Sequence, residues 1–570
     1  MKPIFFNKYL SRILKRSVRI FLFTSVVLLF SCEKSTMEKP NVLFILMDDL
    51  GYGHLGINND TLEISDFDPF FVYLVDSLQG YSLEKALEFT KRAIPTISNL
   101  ANEGIRFTRA HTTCNVCAPS RLGIATGTLQ TKFGVYLNGE QRLKEDTHLA
   151  ENMKNLGYQT AHIGKWHIGE SKDQMLVDIL KKHGIEEQLG YNQIRNQYPE
   201  IFREVEESGY RGSVIDAHHP LNNGFDYYYG YNYWASQFYN STYVWENFTH
   251  AGRQDGYNTD VFTDVAIDYM DNQIDRDKPF YVQLHYHAVH DSLEPKAPDL
   301  YFNRFDAESY HLNNFYAHIY GVDYNINRIV EFLKSTGAYE NTLIFFTSDN
   351  GAMCMGPYDG HKTGSPLPAN APFSGHKGTY YEGGIRVPMF VHWPEGIKQT
   401  GVSHQLISTM DIIPTAIDVA GGAVPEGIDG KSLVPLFSDP DGAIIHDHLI
   451  WAGSHAYNQG FLVKKTNKTH TTAGKYGPPA WVVIKGDYLL RFMGELVPGI
   501  YLEHMDGREP IVELYNIKLD PAERNNLADK LPEKTKEMSE YFFRESKDFI
   551  TPVHWDLEKW QVLFDSKIYF

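Results

Sequence analysis

The residues that decide the fold are Asn41-Val-Leu-Phe-Ile-Leu-Met-Asp-Asp49, an apolar run that ends on two carboxylates. Short apolar runs bounded by polar residues are typical of buried strands. Helix-like stretches, such as residues 260–274 and 314–335, separate this run from others of the same kind. Strands that alternate with helices predict an α/β fold with a doubly wound, mostly parallel sheet. The other predicted strands of this kind are residues 159–163, 280–284 and 342–347.

Chemically capable side chains follow each of these predicted strands. Ligands of such sheets bind beyond the carboxyl ends of the strands, so residues that are distant in sequence meet there. We therefore expect one site built from four short segments, which are Asp48-Asp49, Gly164-Lys-Trp-His167, His287 through His290, and Ser348-Asp-Asn350.

The composition excludes several classes of protein. Of the 570 residues, 42% are apolar and 22% are charged, which is ordinary for a globular protein and excludes a disordered or collagenous chain. The formal net charge of −18 argues against nucleic acid as a partner. Four cysteines are too few for a disulfide-built scaffold.

The N-terminus has the pattern of a secretion signal. Residues 1–31 contain six basic and no acidic residues, and their apolar core, Ile20 to Phe30, is too short to span a bilayer. The core ends at Leu29-Phe-Ser-Cys32, which resembles the lipobox of bacterial lipoproteins. This predicts a signal peptide at 1–31, a lipid on Cys32 and a polar tether at 32–40. The protein would then lie in the bacterial cell envelope, periplasmic or at the outer surface, and would contact the membrane only through the lipid. The alternative is an uncleaved anchor helix.

The rest of the chain is predicted to form two domains. Residues 41–445 carry the α/β pattern, which insertions at about 57–93 and 171–218 interrupt with helix-like sequence. The character of the chain changes from residue 446. A strand–turn–strand pattern, a further short strand and a helical tail follow there, so we expect a smaller α+β domain at 446–570.

One segment stands out by its chemistry, Cys117-Ala-Pro-Ser-Arg-Leu-Gly-Ile-Ala-Thr-Gly127. Pro119 suits the first turn of a helix and Gly127 suits its end. Cys117 is then expected just before a helix N-terminus, where backbone N–H groups favour an anion, and Arg121 adds a planar cation. From the cysteine and the proline alone, a half-buried cysteine before an ordinary helix would be the better explanation.

The complete segment resembles the signature of the type I sulfatases, a family of the alkaline-phosphatase-like superfamily. The resemblance extends from Asn41 to about Ala528, and the further motifs occur in family order. It implies that a maturation enzyme oxidises Cys117 to formylglycine, whose hydrate is the nucleophile. Ile124 stands where the family usually has leucine, which is a conservative departure.

A metal site is the next implication. Hard oxygen ligands of the kind that suit Ca²⁺, with Mg²⁺ as the alternative, occur at two strand ends as Asp48, Asp49, Asp349 and Asn350. The resemblance makes these four residues and the modified Cys117 the family's calcium ligands. The family pattern has an acid where this chain has His54, so we do not assign residue 54 to the metal.

Two loop motifs supply positive charge. Gly164-Lys-Trp-His-Ile-Gly169 matches a family motif in which the lysine, here Lys165, binds sulfate oxygens. Its histidine, here His167, holds the hydrate and acts as a base. The motif from His376 to Pro388 also matches the family, which implies that Lys377 is a second sulfate-binding lysine, and we expect its Arg386 to be structural.

The leaving group needs an acid, and the resemblance places this role on His290. The family usually has Ala-Pro-His at this point, so Val289 is a departure, although Lys296-Ala-Pro298 keeps the alignment. We expect the neighbouring His285 and His287 in the core or behind the site. The predicted catalytic residues are therefore Cys117, Arg121, Lys165, His167, His290 and Lys377.

The predicted activity is hydrolysis of sulfate monoesters, and the expected substrate is a sulfated polysaccharide or glycosaminoglycan fragment. The aromatic run from Phe225 to Trp245 would line a sugar cleft or, equally well, pack in the core. The alternatives are an aryl or steroid sulfatase, a phosphatase or phosphodiesterase of the same superfamily, and a non-catalytic glycan-binding lipoprotein. The sequence leaves open which sugar is bound and whether Cys114 and Cys354 pair.

Overall fold

A ten-stranded sheet forms the centre of the fold. The predicted signal peptide and Cys32 lie outside the residues that the structure describes. The described residues from Pro40 onward belong to one compact unit, and none of their helices is both long and apolar enough to cross a membrane. The computed structural model describes residues 39–67, 69–136, 138, 148–233, 235–353, 365–454, 479–493 and 511–550.

The strands are numbered in chain order. They are β1 Asn41–Met47, β2 Ile105–Phe107, β3 Ala110–His111, β4 Gln159–Lys165, β5 Tyr227–Tyr231, β6 Trp245–Glu246, β7 Thr249–His250, β8 Phe280–His285, β9 Thr342–Ser348, β10 Met389–His392, β11 Gly401–Ser403, β12 Ile407–Ser408, β13 His448–Ser454, β14 Pro479–Lys485, β15 Tyr488–Met493 and β16 Ile511–Asn516. The large sheet has the order β11-β2-β10-β9-β1-β8-β4-β5-β6-β7, and separate sheets join β12 to β3 and β13 through β16.

The middle of the large sheet is parallel. β1 pairs in parallel with β9 and β8, β8 pairs with β4, and β4 pairs with β5. β10 runs antiparallel to its neighbours, and β6 and β7 add an antiparallel edge. The predicted mostly parallel sheet is therefore confirmed for the centre, where the carboxyl ends of β9, β1, β8 and β4 lie side by side.

The helices are likewise numbered in chain order. They are α1 Pro69–Leu74, α2 Leu83–Arg92, α3 Pro95–Asn102, α4 Cys117–Thr126, α5 Ala150–Asn155, α6 Gln174–Lys182, α7 Tyr191–Gln197, α8 Pro199–Glu207, α9 Asn258–Ile274, α10 Asp299–Phe302, α11 Tyr310–Thr336, α12 Glu382–Ile385, α13 Ile412–Val419 and α14 Pro532–Glu545.

Helices cover both faces of the large sheet. Alternate residues of β1 enter two different hydrophobic clusters, because successive side chains of a strand point to opposite faces. Leu43 and Ile45 belong to the cluster that includes residues of α2, α3, α9 and α11. Val42 and Phe44 belong to the cluster that includes residues of α4, α5 and α13. The doubly wound arrangement is confirmed.

The two predicted insertions are helical, but they are built differently. In the first, Leu83 and Phe89 of α2 join the main core. In the second, α6, α7 and α8 enclose a small apolar cluster of their own that includes Leu176, Leu180 and Val205. The second insertion is therefore a satellite of the main fold.

The C-terminal part is an antiparallel four-stranded sheet covered by α14. Trp481 of β14 stacks on Phe542 of α14, with 4.4 Å between the ring centres. The predicted strand–turn–strand is the β14–β15 hairpin, and the predicted helical tail is α14. The α+β character is confirmed, and the separate domain with its boundary at residue 445 stays a prediction.

Candidate active site

The four predicted segments meet at the carboxyl ends of the central strands. Asp48 and Asp49 follow β1, Lys165 ends β4, His290 follows β8, and Asp349 and Asn350 follow β9. All of these side chains are buried. A buried cluster of so many charged groups is stable only if the charges are paired, and the pairs are as follows.

Cys117 lies at the centre of the cluster. It is the first residue of α4 rather than the residue before the helix, which corrects the predicted boundary by one position. Its Sγ lies 3.7 Å from Asp48 Oδ1 and 3.9 Å from Asp49 Oδ1. Burial raises the pKa of the Cys117 thiol, so the unmodified side chain is neutral rather than a thiolate nucleophile.

Each of the two predicted sulfate-binding lysines pairs with a carboxylate. Lys165 Nζ donates to Asp48 Oδ2 at 2.6 Å, and Lys377 Nζ lies 2.7 Å from Asp49 Oδ1. Burial alone would raise the pKa of both carboxyl groups, but the lysines offset it, and the pKa of Asp48 lies well below its usual range. Both carboxylates are therefore ionised.

Arg121 holds the third carboxylate. Its Nε donates to Asp349 Oδ2 at 2.9 Å, its Nη2 lies 2.8 Å from the same oxygen, and its Nη1 donates to the carbonyl oxygen of Lys165 at 3.0 Å. Asp349 Oδ1 accepts the backbone N–H of Asp49 at 3.2 Å. Arg121 thus fixes the relative positions of β4 and β9 and acts on the site mainly through Asp349.

The charges of this core cancel. The carboxylates of Asp48, Asp49 and Asp349 face the cations Lys165, Lys377 and Arg121, respectively. A bound divalent cation would therefore leave the site with two positive charges. That excess would attract an anionic ester in an otherwise acidic protein.

The donor set fits a hard divalent cation. Ligand atoms of Asp48, Asp49, Cys117 and His290 lie within 4.8 Å of one another. Asn350 Nδ2 donates to Asp49 Oδ1 at 2.7 Å, which leaves the buried Asn350 Oδ1 without a hydrogen-bond partner. Carboxylate and amide oxygens are the ligands that Ca²⁺ and Mg²⁺ prefer.

The five predicted metal ligands are not equally placed. Asp48, Asp49 and Cys117 belong to the cluster, and Asn350 offers its open oxygen beside it. Asp349 instead pairs with Arg121. His290, which we assigned to catalysis, joins the metal-capable group. The ligand assignments stay predictions.

Two histidines flank the cluster. His290 Nε2 lies 3.8 Å from Asp49 Oδ2, and burial together with Lys377 lowers the pKa of His290 to about 3. His167 is half-buried, and its Nδ1 has no hydrogen-bond partner. Desolvation and the charge of Lys165 lower the pKa of His167 as well. Both rings are neutral in this state, so each can accept a proton.

Further histidines support these groups from behind. His285 Nδ1 lies 3.4 Å from Arg121 Nη1, and His287 Nδ1 lies 3.9 Å from Asp48 Oδ2, so both occupy the supporting positions expected for them. Sequence reasoning missed His162, whose Nε2 lies 3.2 Å from the Lys165 carbonyl oxygen. Its sequence signal is weak, a histidine between Ala161 and Ile163 in β4.

His54 is a structural residue. Its Nδ1 accepts the backbone N–H of Gly51 at 3.1 Å, and its Nε2 lies 3.0 Å from the carbonyl oxygen of Pro366. Burial lowers the pKa of His54 to about 4, so the ring is neutral. This geometry agrees with leaving residue 54 out of the metal site.

The site and the fold now define the class of protein. Residues 40–423 match the family model described as "Sulfatase", and residues 375–473 match the model "N-sulphoglucosamine sulphohydrolase, C-terminal". The chain belongs to the sulfatase family and is a sulfuric ester hydrolase.

Individual relatives agree with this assignment. The chain is 34% identical over 432 residues to "Uncharacterized sulfatase YdeN" of Escherichia coli. That alignment covers 75% of this chain and 70% of the relative. It is 27% identical over 424 residues to N-acetylgalactosamine-6-sulfatase of Mus musculus. That alignment covers 70% of this chain and 66% of the mouse protein. The crystal structure of Ps i-CgsB in complex with k-i-k-neocarrahexaose has the same fold, with a TM-score of 0.64 at 21% identity over 93% of this chain and 98% of that one.

Proposed function

We propose that this sulfatase removes sulfate from sulfated polysaccharide or glycosaminoglycan fragments, with formylglycine at residue 117 as the nucleophilic group. The observation that carries the proposal is the convergence of Cys117 with Asp48, Asp49, Lys165 and Lys377 in one buried, charge-balanced cluster. The names of the relatives support the substrate class, since the mouse protein is an N-acetylgalactosamine-6-sulfatase and the solved structure holds a neocarrahexaose.

The neutral, buried Cys117 thiol supports the modification. A cysteine that attacked substrate itself would need a lowered pKa, whereas burial raises the pKa of this one. Oxidation of Cys117 by a maturation enzyme explains why the chain keeps a cysteine here. When formed, the aldehyde supplies a hydrate oxygen for attack on sulfur and a route for releasing sulfate.

Calcium is the proposed metal, with Mg²⁺ as the alternative. Asp48, Asp49, Asn350 and the modified residue 117 would hold it, joined by Asp349. Bound there, the cation supplies positive charge that favours ionisation of a neighbouring hydroxyl group.

The chain's own side chains divide the remaining work. Lys165 and Lys377 hold the sulfuryl oxygens and offset their negative charge. The negative charge of a bound sulfate ester favours protonation of His290, which then donates that proton to the departing alcohol oxygen, and His167 accepts a proton at a ring nitrogen when sulfate is released. Burial raises the pKa of Asp349 to about 6, and Arg121 opposes that rise and holds the carboxyl group in place.

A substrate panel tests this proposal. We expect the matured protein to release sulfate from at least one of a set of defined sulfated oligosaccharides, with an aryl sulfate as the comparison. Turnover of the aryl sulfate alone would favour the aryl sulfatase alternative. Phosphate release with zinc in the protein would favour the phosphatase alternative, and an unmodified thiol at Cys117 with glycan binding would favour the non-catalytic one.

We also propose that the protein is a lipoprotein of the bacterial cell envelope. The support is the sequence of residues 1–32, with its basic start, short apolar core and final cysteine. The variant Cys32→Ala is expected to lose incorporation of labelled fatty acid and to leave the membrane fraction. Labelling that persists in Cys32→Ala would overturn the assignment.

A further inference from the structure

The segment that carries Lys377 is held by the C-terminal sheet. Ser374 Oγ donates to the carbonyl oxygen of Ala522 at 2.6 Å, and Tyr380 Oη donates to the carbonyl oxygen of Ala452 in β13 at 3.0 Å. These two contacts bracket Lys377 on either side in sequence. The segment on both sides of Lys377 is therefore tied to residues that lie more than 70 positions further along the chain.

Arg491 of β15 is at the centre of this attachment. Its Nη1 donates to the carbonyl oxygen of Tyr380 at 3.0 Å, and its guanidinium lies over the ring of Tyr381, 3.7 Å from the ring centre. The same guanidinium binds two carboxylates. Nη2 lies 2.6 Å from Glu513 Oε2, and Nη1 lies 3.3 Å from Glu523 Oε2. Glu523 Oε1 in turn accepts a hydrogen bond from the backbone N–H of Glu382, the residue after Tyr381, at 3.3 Å.

The C-terminal sheet uses its two faces differently. Trp481 and Phe492, which are paired across β14 and β15, stack with each other, and Trp481 also stacks on α14. Arg491 and Glu513, one residue along their strands, are also a cross-strand pair and face the other way. One face is therefore an ordinary apolar core, and the other presents a charged group to the Lys377 segment.

This charged group is completely buried. The exposed fraction is 0% for Arg491, 2% for Glu513 and 1% for Glu523. A buried ion pair is often no more stabilising than apolar side chains of the same volume, because removing the charges from water is costly. Stability alone therefore explains the group poorly. Its geometry explains it better, since a planar guanidinium with several directed donors fixes a backbone carbonyl and an aromatic ring at once.

We propose that Arg491 is a positioning residue for catalysis, which acts by holding the segment 374–386 so that the Lys377 ammonium group meets the sulfuryl group. The inference rests on the proposed role of Lys377 as a sulfate-binding residue. Arg491 does not touch the substrate. It sets the position of a lysine that does, through Tyr380 and Tyr381, and a displacement of about 1 Å can cost a hundredfold in rate.

A double-mutant cycle tests the proposal. The four proteins are the wild type, Arg491→Met, Lys377→Ala and the double variant, all matured and supplied with Ca²⁺. We expect Arg491→Met to lower kcat/KM for an aryl sulfate about 10- to 100-fold. In the Lys377→Ala background the same change is expected to cost less than about twofold, because the lysine that it positions is already gone. The same double-mutant cycle can be measured with the Kd of each of the four proteins for inorganic sulfate. That measurement does not depend on turnover.

A second background and a stability control separate positioning from general damage. In Lys165→Ala the Arg491→Met effect is expected to be larger than in Lys377→Ala, since Lys165 lies on β4 and outside the segment 374–386. Phe542→Leu loosens the apolar face of the same sheet and is expected to lower Tm with little change in kcat/KM. The proposal would be overturned if Arg491→Met kept the wild-type kcat/KM. It would also be overturned if Arg491→Met lowered kcat/KM by the same factor in the wild type and in Lys377→Ala. A Lys377→Ala variant that binds sulfate normally would instead refute the proposed function of Lys377.

Discussion

At the scale of single residues, the site is a set of charges that balance one another. Asp48, Asp49 and Asp349 each face one cation, and Cys117 lies between the first two. The sequence predicted these residues because each follows a strand or belongs to a specific motif. It could not predict that Asp349 pairs with Arg121, because this pair depends on how α4 packs against the end of β9, 228 residues further along the chain.

His290 gives a prediction about leaving groups. We expect His290→Ala to lower kcat on sulfated sugars more than on an activated aryl sulfate, because the sugar alkoxide needs a proton and the aryl oxide needs it less. A general acid typically contributes about 10²- to 10⁴-fold. The measurement is kcat on both substrates for the variant and the wild type. Equal losses on both would count against the acid role.

The open oxygen of Asn350 gives a prediction about the metal. A ligand that binds only the folded state raises stability, by about 2.7 kcal/mol when its free concentration is 100 times Kd. We expect Ca²⁺ to raise Tm and a chelator to lower it, with a smaller Ca²⁺ shift in Asn350→Ala. The exposed Asn272→Ala is the matched control and should keep the full shift. A full shift in Asn350→Ala as well would remove Asn350 from the metal site.

At the scale of elements, the apolar runs were predicted well and the helical insertions only in outline. β1, β4, β8 and β9 are buried on both faces, and the continuous apolar run of β1 makes that strand easy to recognise. The boundaries are less secure. α4 begins one residue earlier than expected, because the cysteine itself adopts helical geometry. The sequence also could not distinguish an insertion that joins the main core from one with its own cluster.

The second insertion should therefore unfold on its own. Leu180 of α6 is fully buried in the separate cluster, and truncating a buried leucine costs about 2–5 kcal/mol. We expect Leu180→Ala to increase proteolysis and hydrogen exchange within residues 171–218 while Tm of the main transition stays unchanged. Leu333→Ala, which makes the same truncation in the main core, should lower that Tm. A similar global Tm loss in both variants would contradict a satellite cluster.

At the scale of the whole molecule, a large acidic protein concentrates its catalytic charges at one edge of a sheet. The class of fold and the position of the site follow from the order of strands and helices in the sequence. The support that the C-terminal sheet gives to the Lys377 segment does not follow from that order. Arg491 reads as an ordinary charged strand residue, and only the packed structure shows that it is buried between two carboxylates.

Buried neutral histidines lower the stability of the folded protein in acid. The pKa is lowered by burial to about 4 in His54 and to about 3 in His162 and His318, whereas the unfolded chain takes up protons near its ordinary value of about 6.5. Below that pH the unfolded state binds more protons than the folded state, so stability falls as the pH drops from about 6.5 towards 4.

Denaturant unfolding at pH 7 and pH 5 checks this effect. We expect a lower free energy of unfolding at pH 5. His54→Gln, which removes one of the titrating groups, should reduce the difference between the two pH values, even if the variant is less stable at pH 7. An unchanged difference in the variant would show that His54 does not contribute.

The central claim is that residue 117 carries out sulfate ester hydrolysis in this site. The most direct measurement is sulfate release from a sulfated oligosaccharide by the matured wild type and by Cys117→Ala, with Tm measured for both. We predict release by the wild type and none by the variant, at similar Tm, because alanine removes the group that is proposed to become the nucleophile. Appreciable sulfate release by a folded Cys117→Ala protein would contradict the claim.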